Sequence, residues 1–71
     1  MSAINHVLQR PVLRSTSNDT IAIRYIQFRV GTEIDGIWGS HTEALVEQFQ
    51  SVNGLTSDGI IGRNTWSTLL N

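Results

Sequence analysis

One pattern of eight residues occurs twice in this chain and constrains its fold more than any other feature. Residues 35–42 read DGIWGSHT and residues 58–65 read DGIIGRNT, so D-G-I-x-G-x-x-T recurs at an offset of 23 residues. An Asp-Gly pair is typical of a tight turn, since Asp accepts bonds from nearby backbone N–H groups and Gly tolerates positive φ. We expect the Ile after each Asp-Gly pair, Ile37 and Ile60, to be a buried plug. A repeat of this kind indicates one supersecondary unit used twice.

A helix is predicted after each of the two turns. Within Ser40–Asn53, Ser40 and Glu43 have the S-x-x-E spacing of a capping box, and Gly54 suits the left-handed position after a helix end. Both segments carry apolar residues at helical spacing. These are Leu45, Val46, Phe49 and Val52 after the first turn, and Trp66, Leu69 and Leu70 after the second.

An earlier helix is predicted from about Asp19 to Val30, with Ser17, Asn18 or Asp19 as its cap and Gly31 at its end. The many β-branched residues leave a strand over residues 21–28 as an alternative. Upstream, Ala3, Ile4, Val7 and Leu8 could add one amphipathic turn behind Ser2. Short connections between helices favour a bundle. The expected fold is therefore all-α, a compact three-helix bundle with two repeated DGxxG turn-helix units.

Length and composition exclude several classes of function. A chain of 71 residues is one domain, and without cysteine it has neither a disulfide nor a thiolate nucleophile. The net charge of −1 without a basic stripe argues against nucleic acid, and no apolar run is long enough to span a membrane. Met1 to Arg10 lacks the basic start and apolar stretch of a signal peptide, so we expect synthesis in the cytoplasm.

Catalysis is not expected from the polar residues. Asp35 and Asp58 occupy the same position in the repeat, which favours two turn carboxylates over an acid–base pair. His6 and His41 lack companions at metal-ligand spacing, and no G-x-S-x-G nucleophile motif is present. The sequence therefore predicts that the chain is not an enzyme and holds no metal and no cofactor.

Four blocks of residues follow one another in a characteristic order over about residues 11–70. They are Ile23, Ile26, Gln27 and Val30; then Asp35, Gly36, Trp38, Gly39 and Thr42; then Leu45, Val46, Phe49, Gln50, Gly54 and Leu55; and finally Asp58, Gly59, Gly62, Thr65, Trp66 and Leu69. This order resembles the peptidoglycan-binding domain 1 family, three-helix modules attached to many cell-wall hydrolases, including phage endolysins. The resemblance implies a lead segment over residues 1–10 and a peptidoglycan-binding domain over residues 11–71.

The resemblance also implies a function without catalysis: binding of bacterial peptidoglycan, through glycan and stem peptide, to tether an endolysin-like cell-wall hydrolase. Such a chain acts at the wall after release from the cell or as part of a larger protein. A catalytic hydrolase domain or another copy of the chain is a further possible partner. The alternative is a docking or oligomerisation module built on the same fold.

Seven residues are candidates for ligand contact, with competing interpretations for most of them. The two tryptophans beside the turns could stack on sugars, but core packing is favoured in so small a chain. The two glutamines could reach a ligand or hold the loops, and the sequence leaves both open. The stripe Ile21, Tyr25 and Phe28 is either covered by the lead (Val7, Leu8, Val12, Leu13) or exposed to a partner, and coverage is favoured. The candidates are Arg24, Tyr25, Gln27, Trp38, Gln50, Asn53 and Trp66.

Overall fold

The computed structural model describes residues 3–71, with side chains described from residue 5 onward. Its helices are α1 (Ala3–Leu8), α2 (Thr20–Val30), α3 (Ser40–Val52) and α4 (Arg63–Leu69). The all-α prediction is confirmed: α2, α3 and α4 form the bundle, α1 is a short additional helix ahead of them, and the strand alternative for residues 21–28 is wrong. Ser2, the expected cap of α1, lies outside the described residues. No helix in the described part of the chain is long and apolar enough to cross a bilayer.

The ends of α2 follow directly from local sequence. Asp19 is its N-cap, and the Asp19 carboxylate accepts a 3.2 Å hydrogen bond from the backbone N–H of Ala22. Gly31 ends the helix with a left-handed φ of 86°, and its N–H donates to the Gln27 carbonyl at 3.0 Å. Both boundaries confirm the prediction, because each depends on a residue that is adjacent to the helix it caps.

The capping box predicted for α3 is wrong. Gly39 is the N-cap, with an extended φ of −106°, and no side chain caps the helix. Ser40 is already the first helical residue, so its hydroxyl stands one position too late to cap. Helix α4 begins in the same way behind Gly62, with φ of −102°. The second glycine of each repeat therefore supplies the N-cap. At the other end of α3, Gly54 has the predicted left-handed conformation, with φ of 71°.

The buried plug of each turn is one residue later than predicted. Ile37 is 67% exposed and Ile60 is half-buried, whereas Trp38 and Ile61 lie in the core. The backbone is extended as it approaches the helix, so successive side chains point to opposite sides. Only the second of the two apolar residues can then face inward. The full core comprises Val7, Leu13, Ala22, Ile23, Ile26, Trp38, Val46, Ile61, Trp66 and Leu69.

The lead segment is held to the bundle at several points. The His6 Nε2 atom lies 2.8 Å and 2.7 Å from the two Asp19 carboxylate oxygens, beside the start of α2. Leu13 forms an antiparallel bridge with Ile61, with N–H···O distances of 3.2 Å and 2.8 Å. The indole N–H of Trp66 donates to the Pro11 carbonyl at 2.8 Å. Residues near the N-terminus thus pack into the same core as the two repeats.

Coverage of the α2 stripe by the lead is only partial. Tyr25 is half-buried and stacks on Trp66, with ring centroids 6.1 Å apart. The other two stripe residues are open, Ile21 at 47% and Phe28 at 64% exposure. The predicted coverage is therefore wrong for Ile21 and Phe28. Of the four lead residues expected to cover the stripe, Val7 and Leu13 lie in the core, and Leu8 and Val12 are exposed.

Candidate functional site

A buried amide organises the first turn. The Gln27 side-chain oxygen accepts from the backbone N–H groups of Asp35 at 3.1 Å and Gly36 at 2.9 Å. Its side-chain nitrogen lies within hydrogen-bond distance of three acceptors: the Asp35 carboxylate at 2.8 Å, the Ile37 carbonyl at 3.0 Å and the Thr42 hydroxyl at 3.1 Å. A buried amide with this many partners fixes the loop conformation around it.

The second turn repeats the arrangement around Gln50. The amide oxygen accepts from the Gly59 N–H at 2.9 Å. The amide nitrogen lies 3.2 Å from the Asp58 carboxylate, 2.9 Å from the Ile60 carbonyl and 3.2 Å from the Thr65 hydroxyl. Because both copies share this geometry, the repeat extends upstream to Q-x7-D-G-I-x-G-x-x-T. Both glutamines hold the loops, which was one of the two alternatives left open by the sequence.

The turn carboxylates are engaged by their own loops. Asp35 and Asp58 each accept a 2.9 Å bond from the backbone N–H two residues ahead, at Ile37 and Ile60. The Ile37 N–H, and after it the Gln27 amide, lower the pKa of Asp35 below its usual value near 3.8. Hydrogen bonds to the ionised form favour that form. The arrangement stabilises a turn and does not poise Asp35 as a proton donor near neutral pH.

Each turn presses a glycine against the helix before it. Gly36 and Gly59 have φ of 76° and 72°. A Cβ added at Gly36 would lie 2.6 Å from Thr20 Cγ2 and 3.2 Å from the Arg24 guanidinium nitrogen Nε. At Gly59, the groups that an added Cβ would meet belong to two carboxylate side chains, Glu43 and Glu47. The first turn is therefore flanked by a cation and the second by anions.

Two grooves lie at equivalent places in the repeat, each beside a turn. The first groove encloses about 100 Å³ and the second groove about 410 Å³. Every lining residue of the first groove has its counterpart in the second, 23 positions later. Thr32, Glu33, Asp35, Ile37, Gly39, His41 and Thr42 line the first; Gly54, Leu55, Thr56, Asp58, Ile60, Gly62, Arg63, Asn64 and Thr65 line the second.

One side-chain pair distinguishes the two grooves. In the first groove, two lining residues are bonded to each other, with the Thr32 hydroxyl 3.2 Å from His41 Nδ1. Their counterparts are Leu55 and Asn64, and a leucine has no polar atom to make this bond. The second groove lacks this bond and has a volume typical of small-ligand sites, whereas the first groove is smaller than such sites usually are.

The structure does not bring the seven predicted contact residues together. Trp66, Gln27 and Gln50 are fully or almost fully buried. Trp38 is 8% exposed, and its indole N–H has no hydrogen-bond partner among the described residues. Tyr25 is half-buried against Trp66.

Arg24 and Asn53 are the exposed members of the predicted set. Arg24 lies beside the first turn, at Gly36. Asn53 caps the end of α3, where its amide donates to the Phe49 carbonyl at 2.8 Å, and it lines a separate recess of about 250 Å³. Ligand contact by these residues stays a prediction, and it would require more than one surface.

Sequence reasoning missed the polar side chains of the second groove. Thr56, Arg63 and Asn64 are exposed and line it together with Asp58. Arg63 and Asn64 fill the two variable positions of D-G-I-x-G-x-x-T, before the final Thr. The signal that could have found them is the difference between the two copies rather than their likeness. In the described residues, no group of three or more His, Cys, Asp or Glu could hold a metal ion.

Comparison with known proteins places this arrangement in a wider context. A family model described as a peptidoglycan binding domain matches residues 22–69, which include both turns and both grooves. A zinc D-Ala-D-Ala carboxypeptidase from Streptomyces albus G is 43% identical over 56 residues, covering 68% of this chain and 22% of that protein. An uncharacterised protein from the bpoA1 3′ region of Kitasatospora aureofaciens is 45% identical over 40 residues, covering 56% of this chain and 34% of its own. The chain thus spans about a third of one relative and less than a quarter of the other, and no solved structure matches it.

Proposed function

Because this chain belongs to the family of peptidoglycan binding domains, we propose that it binds bacterial peptidoglycan without catalysis and tethers a cell-wall hydrolase to its substrate. The single observation that carries the proposal is the family match over residues 22–69. That span holds both Gln-centred turns, and the polar groups at their centres serve the fold rather than a reaction.

The context of a wall hydrolase is supported by a relative. A protein named as a zinc D-Ala-D-Ala carboxypeptidase contains a segment 43% identical to this chain. The matched segment is 22% of that protein, so most of the relative lies outside the likeness. We therefore propose that a catalytic domain works together with this module, either in one longer protein or as a separate partner.

Tethering does not require tight binding at any one site. Peptidoglycan is a repeating polymer, so a module that releases one site finds the next at high effective concentration. An attached hydrolase then stays close to its bonds even when each contact is weak. A shallow open groove suits this task better than a deep pocket. The endolysin-like role, with synthesis in the cytoplasm and action at the wall after release, is the finer form of the proposal.

Co-sedimentation with purified sacculi tests this function. The folded chain is mixed with sacculi from Gram-negative and Gram-positive cells, and the pelleted fraction is measured against protein concentration. We expect saturable pelleting that soluble muropeptides compete away, with a preferred sacculus that identifies the wall chemistry. A folded sample that pellets with no wall would refute peptidoglycan binding.

A docking or oligomerisation role is the second candidate, favoured by the exposed apolar side chains of α2. Ile21 and Phe28 are 47% and 64% exposed, and Leu8 and Val12 of the lead are also open. Exposed large apolar groups are common on surfaces that bind other proteins. Light scattering after size-exclusion chromatography separates the two functions, since a wall-binding module can be monomeric. A dimer that Phe28→Ser dissociates, together with no pelleting, would favour docking.

A further inference from the structure

We propose that the second groove is the ligand subsite and that it takes the stem peptide of peptidoglycan rather than the glycan. The inference rests on the proposed function and deepens it, because it names the surface and the chemical class of the ligand. The repeat places two grooves in equivalent positions, and the differences between them in size, charge and lining indicate which one takes a ligand.

The second groove offers a ligand more space than the first. The second groove encloses about 410 Å³, against about 100 Å³ for the first. In the first groove, the Thr32 hydroxyl and His41 Nδ1 are bonded to each other. No such bond joins Leu55 and Asn64, which occupy the same positions in the second groove. Of the two copies, only the second offers a ligand both space and unused polar groups.

The second groove also carries two charged side chains. Arg63 and Asp58 line the same groove and form no ion pair with each other or with other described residues. One oxygen of Asp58 serves the turn, accepting from Gln50 and Ile60, and the other has no partner among the described residues. An unpaired guanidinium binds carboxylates well, since its N–H groups match their geometry. A ligand that carries both a carboxylate and an ammonium group would satisfy both residues.

The other residues that line the second groove are polar or aliphatic. Thr56 and Asn64 add a hydroxyl and an amide, which can bond to peptide groups, while Leu55 and Ile60 give apolar surface for small aliphatic side chains. None of the described residues that line the groove is aromatic. Aromatic faces are the usual partner of the apolar faces of sugars. A short zwitterionic peptide rich in small residues therefore fits this lining better than a sugar chain.

Nuclear magnetic resonance titration tests the inference with two soluble probes. One is a synthetic stem tetrapeptide that contains a diamino acid; the other is the peptide-free GlcNAc–MurNAc disaccharide. We expect the tetrapeptide to shift the backbone amide signals of residues 54–65 in a saturable way, and the signals of residues 32–42 to stay in place. The disaccharide should shift neither set.

Variants sharpen the test. Arg63→Gln should weaken tetrapeptide binding by about tenfold, the size of one lost charge-assisted hydrogen bond. Arg14→Gln removes the same charge from an exposed position in the lead and should leave binding unchanged. The double variant Leu55→Thr/Asn64→His recreates the bonded pair of the first groove and should abolish binding. Thermal unfolding of each variant shows that the fold is retained, and Arg63→Gln alone decides the matter if the double variant unfolds.

The outcomes separate this inference from the proposed function. Pelleting with sacculi without any tetrapeptide shift at residues 54–65 would overturn the inference and leave wall binding intact. A shift of these residues by the disaccharide, or equal affinity of Arg63→Gln and the parent chain, would also overturn it. Tetrapeptide shifts at residues 54–65 in a chain that pellets with no sacculus would support the subsite while refuting binding to the intact wall.

Discussion

The two turn units share a hydrogen-bond network around a buried glutamine and differ at their surfaces. In both, a buried glutamine holds the Asp-Gly turn and the Thr of the following helix, with bonds between 2.8 Å and 3.2 Å. Outside this network, the first unit has a narrow groove and a neighbouring arginine, and the second has a wide groove and two neighbouring glutamates. The bonds that hold each turn therefore come from residues that both copies share, whereas the two grooves differ where the copies differ, with Thr32 and His41 in the first and Leu55 and Asn64 in the second.

The largest expected effect comes from removing a turn amide. Gln27→Leu removes the acceptor of the Asp35 and Gly36 N–H groups, and Gln50→Leu removes the acceptor of the Gly59 N–H group. In each variant the threonine hydroxyl also loses the amide that donates to it, and we expect a cost of about 2–4 kcal/mol of unfolding free energy. A core of this size supplies only about 3–5 kcal/mol, so both variants should be largely unfolded at 37 °C. Urea unfolding followed by circular dichroism measures this loss.

The matched control for the glutamine variants is Gln48→Leu, because Gln48 is exposed on α3 between the two. Its unfolding free energy should stay within about 0.5 kcal/mol of the parent. If Gln27→Leu and Gln50→Leu were as stable as this control, the amide networks would not hold the turns. If only one of the two were destabilised, the claim that the two networks are equivalent would fail.

A smaller effect should separate the two turn glycines. Gly36→Ala and Gly59→Ala both place a side chain at positive φ, which should lower the free energy of unfolding by about 1 kcal/mol in each variant. At Gly36 the new Cβ also meets Thr20 Cγ2 at 2.6 Å, whereas at Gly59 the nearest atoms belong to the flexible side chains of Glu47 and Glu43, from 3.2 Å. Gly36→Ala should therefore be less stable than Gly59→Ala by about 1 kcal/mol in urea unfolding.

Two further variants isolate that steric contact. Gly31→Ala introduces a Cβ at φ of 86° with no atom within 4 Å, and so reports the backbone penalty alone. Thr20→Ser removes the Cγ2 atom and should restore part of the stability of Gly36→Ala but not of Gly59→Ala. Equal losses at Gly36 and Gly31 would show that the first turn relaxes away from α2 without cost.

How far the sequence could predict this molecule depends on the range of each interaction. The limits of α2 were predictable because Asp19 and Gly31 act on adjacent backbone groups. The start of α3 was not, because the extended turn makes Gly39 the N-cap in place of Ser40. The same extension turned Ile37 outward.

The site was harder to predict than the fold. The glutamines were found as candidates, but their spacing to the turns gained its meaning only from five bonds around Gln27 and four around Gln50. The open groove depends on which side chains lie opposite each other, such as Thr32 and His41, nine residues apart. Such pairs have no signature in either copy alone, and only the comparison of the copies in three dimensions reveals them.

A titration effect is expected at the first turn. The pKa of Asp35 is lowered in the folded chain by the Ile37 N–H and the Gln27 amide, so the unfolded chain binds more protons as pH falls. The stability that Asp35 contributes is thus fully present above its unfolded pKa, near 3.8, and is lost as pH falls through the lower folded value. Urea unfolding between about pH 5 and pH 2 should show a steeper decline for the parent than for Asp35→Asn. Identical declines would mean that the turn does not favour the ionised carboxylate.

The smallest effect on stability is expected from opening the first groove. In the double variant Thr32→Leu/His41→Asn, the first groove carries the residues that the second groove has at the same positions, and an exposed hydrogen bond between Thr32 and His41 is lost. Unfolding free energy should change by no more than about 0.5 kcal/mol, because solvent replaces such bonds at little cost. The groove itself should open, so that small polar probes shift the amide signals of residues 32–42 as well as 54–65. Binding of the tetrapeptide there should remain weak, because Ser40 stands where the second groove has Arg63, and adding Ser40→Arg should strengthen it. If the triple variant bound the tetrapeptide at residues 32–42 no better than the parent does, groove width and one arginine would not account for the difference between the two units.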